Sequence, residues 1–190
     1  IENLTLRGGG AWLHARYGNG FIFFNATGVG IVPSATNPSG LAINTNSDPL
    51  KTYLNVSQNQ DLSGLQMARA PNFTANFGIS YHIPNGDGGL RMSTNVNYTD
   101  SYVVTNPAVW GNRPEVPAER QRQQRFRQSG YALVSAQATW TEPGGQFYVQ
   151  VFGNNLTDKK YRLHYTGTAF GTYSPMAEPL TYGARVGYKF

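Results

Sequence analysis

The sequence of 190 residues contains no cysteine, which excludes a disulfide scaffold and thiolate chemistry. It also lacks any apolar run near the roughly 20 residues that a membrane-spanning helix needs. Charged residues make up only 13% of the chain, and its first residues include neither a methionine nor a signal-peptide pattern. We therefore expect a processed product or a portion of a longer protein, without spanning helices.

Helical periodicity is absent as well, and alternation takes its place. No segment keeps the i, i+3, i+4, i+7 spacing of an amphipathic helix, while the 22 glycines and 13% aromatic residues favour strands and turns. In "FTANFGISYHI", Phe73, Phe77 and Ile79 fall on one face of a strand, opposite Asn76 and Ser80. The period-two pattern predicts an all-β, antiparallel fold with about six strands, at about 3–16, 70–83, 89–103, 130–141, 146–155 and 180–190.

The connections between these strands alternate strictly between long and short. Long polar connections cover about 18–64, 105–129 and 157–179, whereas "PNGDGG" and "TEPGGQ" are tight turns. In a meander, every long connection then lies at one end of the sheet. Outer-membrane β-barrels have this asymmetry, with short periplasmic turns and long extracellular loops. We therefore predict a transmembrane β-barrel, and a soluble β-sandwich is the alternative, since it also alternates.

The number of strands bears on how such a barrel closes. Single-chain membrane barrels start at about eight strands, and two open strand edges in hydrocarbon would leave costly unpaired backbone groups. We therefore expect this chain to supply about six C-terminal strands of a larger barrel, with residues 1–190 as part of its wall.

Four segments in succession resemble the barrel region of TonB-dependent receptors, the plugged transporters of Gram-negative outer membranes. The segment "VFGNNLTDKKY" is similar to the family's penultimate-strand signature, and the others are "LSGLQMARAPNFTANFGISY", "YALVSAQATW" and "PLTYGARVGYKF". The chain departs from the family at Leu180 and Thr181, where the family commonly has Pro-Arg.

This resemblance implies a plugged barrel of about 22 strands that crosses the bacterial outer membrane many times. It implies capture of scarce cargo, such as an iron chelate (a siderophore complex), cobalamin or a glycan, and its energy-coupled import. The partners implied are outer-membrane lipid and an inner-membrane energy-transducing complex, which would act on a TonB box and plug that this chain does not contain. A passive diffusion porin is the alternative. Neither enzymatic activity nor a cofactor is expected.

The closing strand carries a further implication of the resemblance. Tyr182, Val186, Tyr188 and Phe190 lie on the apolar face of "TYGARVGYKF". They resemble the signal read by the outer-membrane assembly machinery, and we expect them to form the barrel seam. Deletion of Phe190 is expected to impair membrane insertion more than cargo binding.

Two sets of loop residues are candidates for ligand contact. Aromatic and arginine side chains often anchor the recognition of a ligand. The first set consists of such residues, which either contact cargo or pack the loops together: Trp110, Arg113, Tyr165, Phe170 and Tyr173. A second, cationic set either contacts lipopolysaccharide phosphates or an anionic cargo, or is simply solvated: Arg120, Arg122, Arg125, Arg127, Lys159 and Lys160. Nucleic acid is not expected, because the arginines lack interleaved stacking aromatics other than Phe126.

The sequence predicts no catalytic or metal site. His14, His82 and His164 are far apart and lack metal-ligand spacing. No Ser-His-Asp set falls on one face at neighbouring strand positions.

Overall fold

The structure is a computed structural model that describes residues 2–24, 59–106, 121–122, 124, 126–168 and 171–189. Its six long strands are β1 (Leu4–Trp12), β4 (Phe73–Asn85), β5 (Gly88–Thr99), β8 (Tyr131–Thr141), β9 (Phe147–Asn154) and β12 (Thr181–Tyr188). Three short ladders pair β2 (Ile22–Phe24) with β3 (Asn59–Asp61), β6 (Tyr102–Val103) with β7 (Arg127–Gln128), and β10 (Thr166–Thr168) with β11 (Gly171–Tyr173). No helix in these ranges is long and apolar enough to cross a bilayer.

The six long strands form one antiparallel sheet in the order β1-β4-β5-β8-β9-β12. Its register places apolar side chains opposite one another across the whole width of the sheet. For example, Ile79 pairs with Leu6. Leu90 pairs with Ile83 on one side and with Trp140 on the other. Because side chains alternate along each strand, this register separates the sheet into an apolar face and a polar face.

The two faces have different surroundings. A depression of about 630 Å³ lies on the polar face, lined by such residues as Asn76, Asn95 and Gln137. Large side chains of the apolar face, including Phe77, Val151 and Val186, are exposed. No second sheet covers them in the described ranges, so the structure lacks the two packed layers of a β-sandwich. We call the polar face the inward face and the apolar face the outward face.

The two ends of the sheet differ as the alternating connections require. Trp12, Phe73, Thr99, Tyr131 and Asn154 all lie at the end from which the long connections depart. The opposite end carries the tight turns. At Gly86, the first of two turn residues between β4 and β5, φ is +59°, a conformation that glycine adopts without steric cost.

The long connections contain more regular structure than the sequence indicated. We predicted one strand over 89–103, whereas β5 ends at Thr99 and a separate strand, β6, follows it. The interruption comes at Asp100, whose carboxylate accepts a hydrogen bond from the backbone N–H of Ser101 at 2.6 Å. An Asp side chain that bonds the adjacent backbone competes with the hydrogen bonds between β-strands, so the strand is interrupted there. The chain then continues as β6, which pairs with β7.

Candidate ligand-binding rim at the long connections

The buried apolar side chains among the described residues belong to the long connections and to none of the six long strands. Tyr102, Val104, Phe126 and Tyr165 form a cluster, which we call the loop core, and Tyr131 packs against it. Phe126 and Tyr165 meet edge to face with ring centroids 5.0 Å apart. A barrel wall directs its side chains to lipid or lumen, so a core of this kind forms only where the connections fold over the strand ends.

Three tyrosines join the loop core to the end of β8. The rings of Tyr131 and Tyr161 stack with centroids 4.3 Å apart, and the Tyr102 hydroxyl is hydrogen-bonded to Tyr131. Burial raises the pKa of Tyr102 well above its usual value, and the contact with Tyr131 raises it further. Burial likewise raises the pKa of Tyr161, with added effects from Tyr131 and Glu178. The raised pKa values keep the Tyr102 and Tyr161 hydroxyls protonated under physiological conditions.

Hydrogen bonds link all three long connections to one another. The backbone N–H of Arg69 donates to Val103 O at 2.8 Å, and its guanidinium lies 2.7 Å from His164 Nδ1. The backbone N–H of Arg162 donates to Gln128 Oε1 at 2.8 Å. Arg69, Val103 and Arg162 belong to the first, second and third long connections respectively, so the three connections form one structure. We call this structure the rim.

The "NNLTDKKY" motif ends β9 and holds the third connection in place. Asn155 and Asp158 have φ values of +48° and +46°, a left-handed conformation that Asn and Asp tolerate better than most residues. The Asn155 amide donates to the carbonyls of Lys159 and Glu178, each at 3.1 Å, and accepts from the Lys159 N–H at 2.8 Å. Asp158 accepts from the N–H of Leu180 at 3.2 Å. The motif therefore joins the end of β9 to the start of β12.

Two of the predicted cargo contacts lie within the described residues, and they differ in burial. Tyr165 is only 6% exposed, because its ring belongs to the loop core, so it occupies the packing role that was the alternative reading. Tyr173, on β11, is 65% exposed and accessible to a ligand. Trp110, Arg113 and Phe170 lie outside the described residues.

The cationic candidates do not act as one cluster. Lys159 and Lys160 are exposed next to the Asn155 turn, and Arg122 is exposed on the second connection. Arg127, on β7, is half-buried and donates to the Ser101 hydroxyl at 3.0 Å, which gives it a structural role. Arg120 and Arg125 lie outside the described residues.

The residues of the predicted seam lie where the alternation places them. Tyr182, Val186 and Tyr188 are exposed on the outward face of β12, and Phe190 is outside the described residues. Their role in assembly stays a prediction.

Sequence reasoning missed two groups of residues. The residues that link the rim, such as Arg69 and Gln128, have no distinguishing pattern, since their partners come from distant segments. Arg7, Arg91 and Arg185 line the depression on the inward face, where Arg185 lies over the Phe152 ring at 4.6 Å. For this group a signal existed: the six long strands contain these arginines and neither Asp nor Glu.

Within the described ranges, neither the rim nor the inward face brings a candidate set of metal ligands together. No group of three or more His, Asp or Glu side chains converges within the residues that the structure describes.

The sheet, its register and its unequal ends are those of part of the wall of a larger, plugged transmembrane β-barrel. Among solved structures, the chain is similar to the ferric yersiniabactin uptake receptor FyuA from Yersinia pestis, with 17% identity, TM-score 0.53 and coverage of 67% of this chain. It is also similar to the siderophore receptor PiuA from Acinetobacter baumannii, with 16% identity, TM-score 0.58 and coverage of the whole chain. The resemblance to TonB-dependent receptors is thereby confirmed at the level of the fold.

The chain accounts for only part of those receptors. The matched regions cover 18% of FyuA and 20% of PiuA. Comparison with models of protein families gave no match, and comparison with curated proteins gave none either.

Proposed function

We propose that this chain belongs to an outer-membrane receptor that binds scarce cargo at the cell surface and imports it by energy-coupled transport. The observation that carries the proposal is the rim, in which hydrogen bonds join three long connections at one end of the barrel wall and the second and third of them share one core. Binding residues are often presented on loops held by a rigid scaffold. FyuA and PiuA, whose fold the chain shares, are receptors rather than enzymes, which supports a non-enzymatic role.

An iron chelate is the first choice of cargo, ahead of cobalamin or a glycan. FyuA is described as a ferric yersiniabactin uptake receptor and PiuA as a siderophore receptor. In this proposal the exposed Tyr173 and the predicted contacts Trp110, Arg113 and Phe170 face the cargo. The exposed cations Arg122, Lys159 and Lys160, with Arg120 and Arg125, contact lipopolysaccharide phosphates or an anionic chelate.

The remaining partners follow from the same proposal. Import requires an inner-membrane energy-transducing complex that acts on a plug, and insertion requires the outer-membrane assembly machinery. We place the protein in the outer membrane of a Gram-negative cell, with the rim outside.

Uptake by the protein that carries this segment tests the proposal. Cells that produce it should accumulate radiolabelled iron from a chelate under iron limitation, and a protonophore should abolish accumulation. Labelled cobalamin and an oligosaccharide serve as alternative cargos. Uptake that persists after protonophore treatment, together with a steadily open conductance in planar bilayers, would support a passive porin instead.

The residue-level part of the proposal has a matched pair of variants. Tyr173→Ala should weaken cargo binding by about tenfold or more, as loss of an aromatic anchor does, and leave loop stability unchanged. Tyr165→Ala should open the loop core at a cost of roughly 3 kcal/mol and expose the connections to protease. Cargo titration and limited proteolysis of both variants distinguish these roles. Unchanged cargo affinity in Tyr173→Ala would remove Tyr173 from the binding site.

A further inference from the structure

The inward face of the sheet is cationic. Arg7, Arg91 and Arg185 all line the depression on this face, and the six long strands contribute no Asp or Glu to either face. The register places Arg91 opposite Thr139, Thr139 opposite Gln150, and Gln150 opposite Arg185. Arg91 and Arg185 therefore lie at the two ends of a row of paired residues that crosses four strands. They are roughly 14 Å apart at the usual strand spacing.

The carboxylates of the described residues lie at the ends of the sheet, where several already have partners. Glu142 accepts from the N–H of Phe147 at 3.1 Å at the tight turn, and Asp100 and Asp158 accept from backbone N–H groups near the rim. Within the described residues, Arg7 and Arg91 have no hydrogen-bond or ion-pair partner. Arg185 contacts Phe152 and lies 3.5 Å from Gln150 Oε1.

Arginines without acidic partners on the inward face become energetically costly once the lumen is filled and water is displaced from them. A guanidinium removed from water without a counter-charge loses several kcal/mol of solvation, so enclosed arginines need acidic partners. The planar fork of arginine matches a carboxylate with two parallel hydrogen bonds. Because the six described long strands supply no carboxylate on this face, the acidic partner that fits these arginines is one carried by whatever occupies the lumen.

We infer that Arg91 and Arg185, supported by Arg7, bind Asp or Glu side chains of the polypeptide segment that fills the barrel lumen. The inference rests on the plugged-barrel fold and does not require transport. The row lies slightly to the tight-turn side of the middle of the sheet, since Arg91 is the fourth of the twelve residues of β5 and Arg185 is the fifth of the eight residues of β12. That position lies along the strands and not in the rim, where a soluble anion would arrive, and it favours a resident acidic segment as the occupant.

Zero-length cross-linking tests the inference in the full-length protein. Arg91→Lys and Arg185→Lys keep the charge and introduce an amine that a carbodiimide couples only to a carboxylate in contact. Met92→Lys is the matched control, because Met92 adjoins Arg91 but points outward, and a long lysine side chain can extend along an apolar surface toward water. Heat-modifiable migration on gels verifies that each variant is folded.

Both inward variants are expected to give cross-links to Asp or Glu residues of the lumen segment, identified by mass spectrometry, and Met92→Lys none. Cross-links confined to turn carboxylates such as Asp87 and Glu142, or no cross-link from folded inward variants, would overturn the inference. Absence of cargo uptake by the parent protein, with the cross-links still formed in the two inward variants, would contradict the proposed function alone.

Chemical modification separates an acidic segment from a soluble anion. In the unmodified protein, Arg91 and Arg185 should be protected from phenylglyoxal without any added anion. Protection that appears only when inorganic phosphate is added would assign the row to a soluble anion and overturn the inference.

Discussion

Asn155 uses both ends of its side-chain amide to close the turn after β9, and it is only 8% exposed. In Asn155→Ala, the backbone groups of Lys159 and Glu178 lose partners in a partly buried site, which costs about 2 kcal/mol. The left-handed backbone also suits alanine less well than asparagine. We expect a lower thermal midpoint in detergent and faster proteolysis of the 155–180 connection.

Asn154→Ala is the matched control, since Asn154 is exposed and its amide lies 3.5 Å from the Thr181 hydroxyl. It should behave like the parent protein. Equal losses in the two variants would show that Asn155 has no special role in closing the turn.

Tyr102 makes the stability of the rim depend on pH in the alkaline range. An unfolded tyrosine ionises near pH 10, whereas burial raises the pKa of Tyr102 in the folded state. Above about pH 10 the unfolded state therefore binds fewer protons than the folded state, and stability falls as the pH rises. Thermal midpoints measured from pH 8 to pH 11.5 should be level at first and then fall.

Tyr102→Phe should show a smaller alkaline fall, because the titrating hydroxyl is gone. Some fall should remain, since burial also raises the pKa of Tyr161. An alkaline profile identical to that of the parent protein would exclude Tyr102 as its source.

At the scale of elements, the tight turn between β4 and β5 packs against the next turn along the edge. A Cβ atom added at Gly88 would lie 2.0 Å from Glu142 O and 2.4 Å from Thr141 O, and both contacts are with backbone. Gly88→Ala therefore forces two hairpins apart and should destabilise the protein by roughly 1–3 kcal/mol, the usual cost of overpacking. The midpoint of unfolding in urea measures this.

Gly9→Ala is the control within β1, where the nearest atom to an added Cβ is Asn76 Nδ2 at an ordinary 3.5 Å. It should leave the midpoint nearly unchanged. If Gly88→Ala also left the midpoint unchanged, the close packing of the two turns at Gly88 would be contradicted.

The strands were predictable because alternation is a local property. Residues such as Phe77, Ile79 and Tyr81 lie on one face whatever the rest of the chain does, and the register then follows from matching apolar faces. The rim was not predictable, because contacts such as that of Arg69 with His164 join residues 95 positions apart. Tyr165 illustrates the same limit, since the sequence around an aromatic residue in a polar loop does not distinguish a buried side chain from an exposed one.

For the whole molecule, the decisive property is which face of the sheet meets lipid. Val151 lies near the middle of β9 on the outward face and is exposed, whereas Gln137 lies opposite Phe152 on the inward face. An arginine facing lipid near the bilayer midplane costs about 2–4 kcal/mol, and an arginine in a wet lumen costs much less. Val151→Arg should therefore destabilise the inserted protein by that amount, and Gln137→Arg should be nearly neutral.

Urea titration of the full-length protein in phospholipid vesicles measures the free energy of unfolding of both variants against that of the parent protein. Equal costs for the two substitutions, or a larger cost for Gln137→Arg, would contradict the assignment of the faces and with it the position of Arg91 and Arg185 in the lumen.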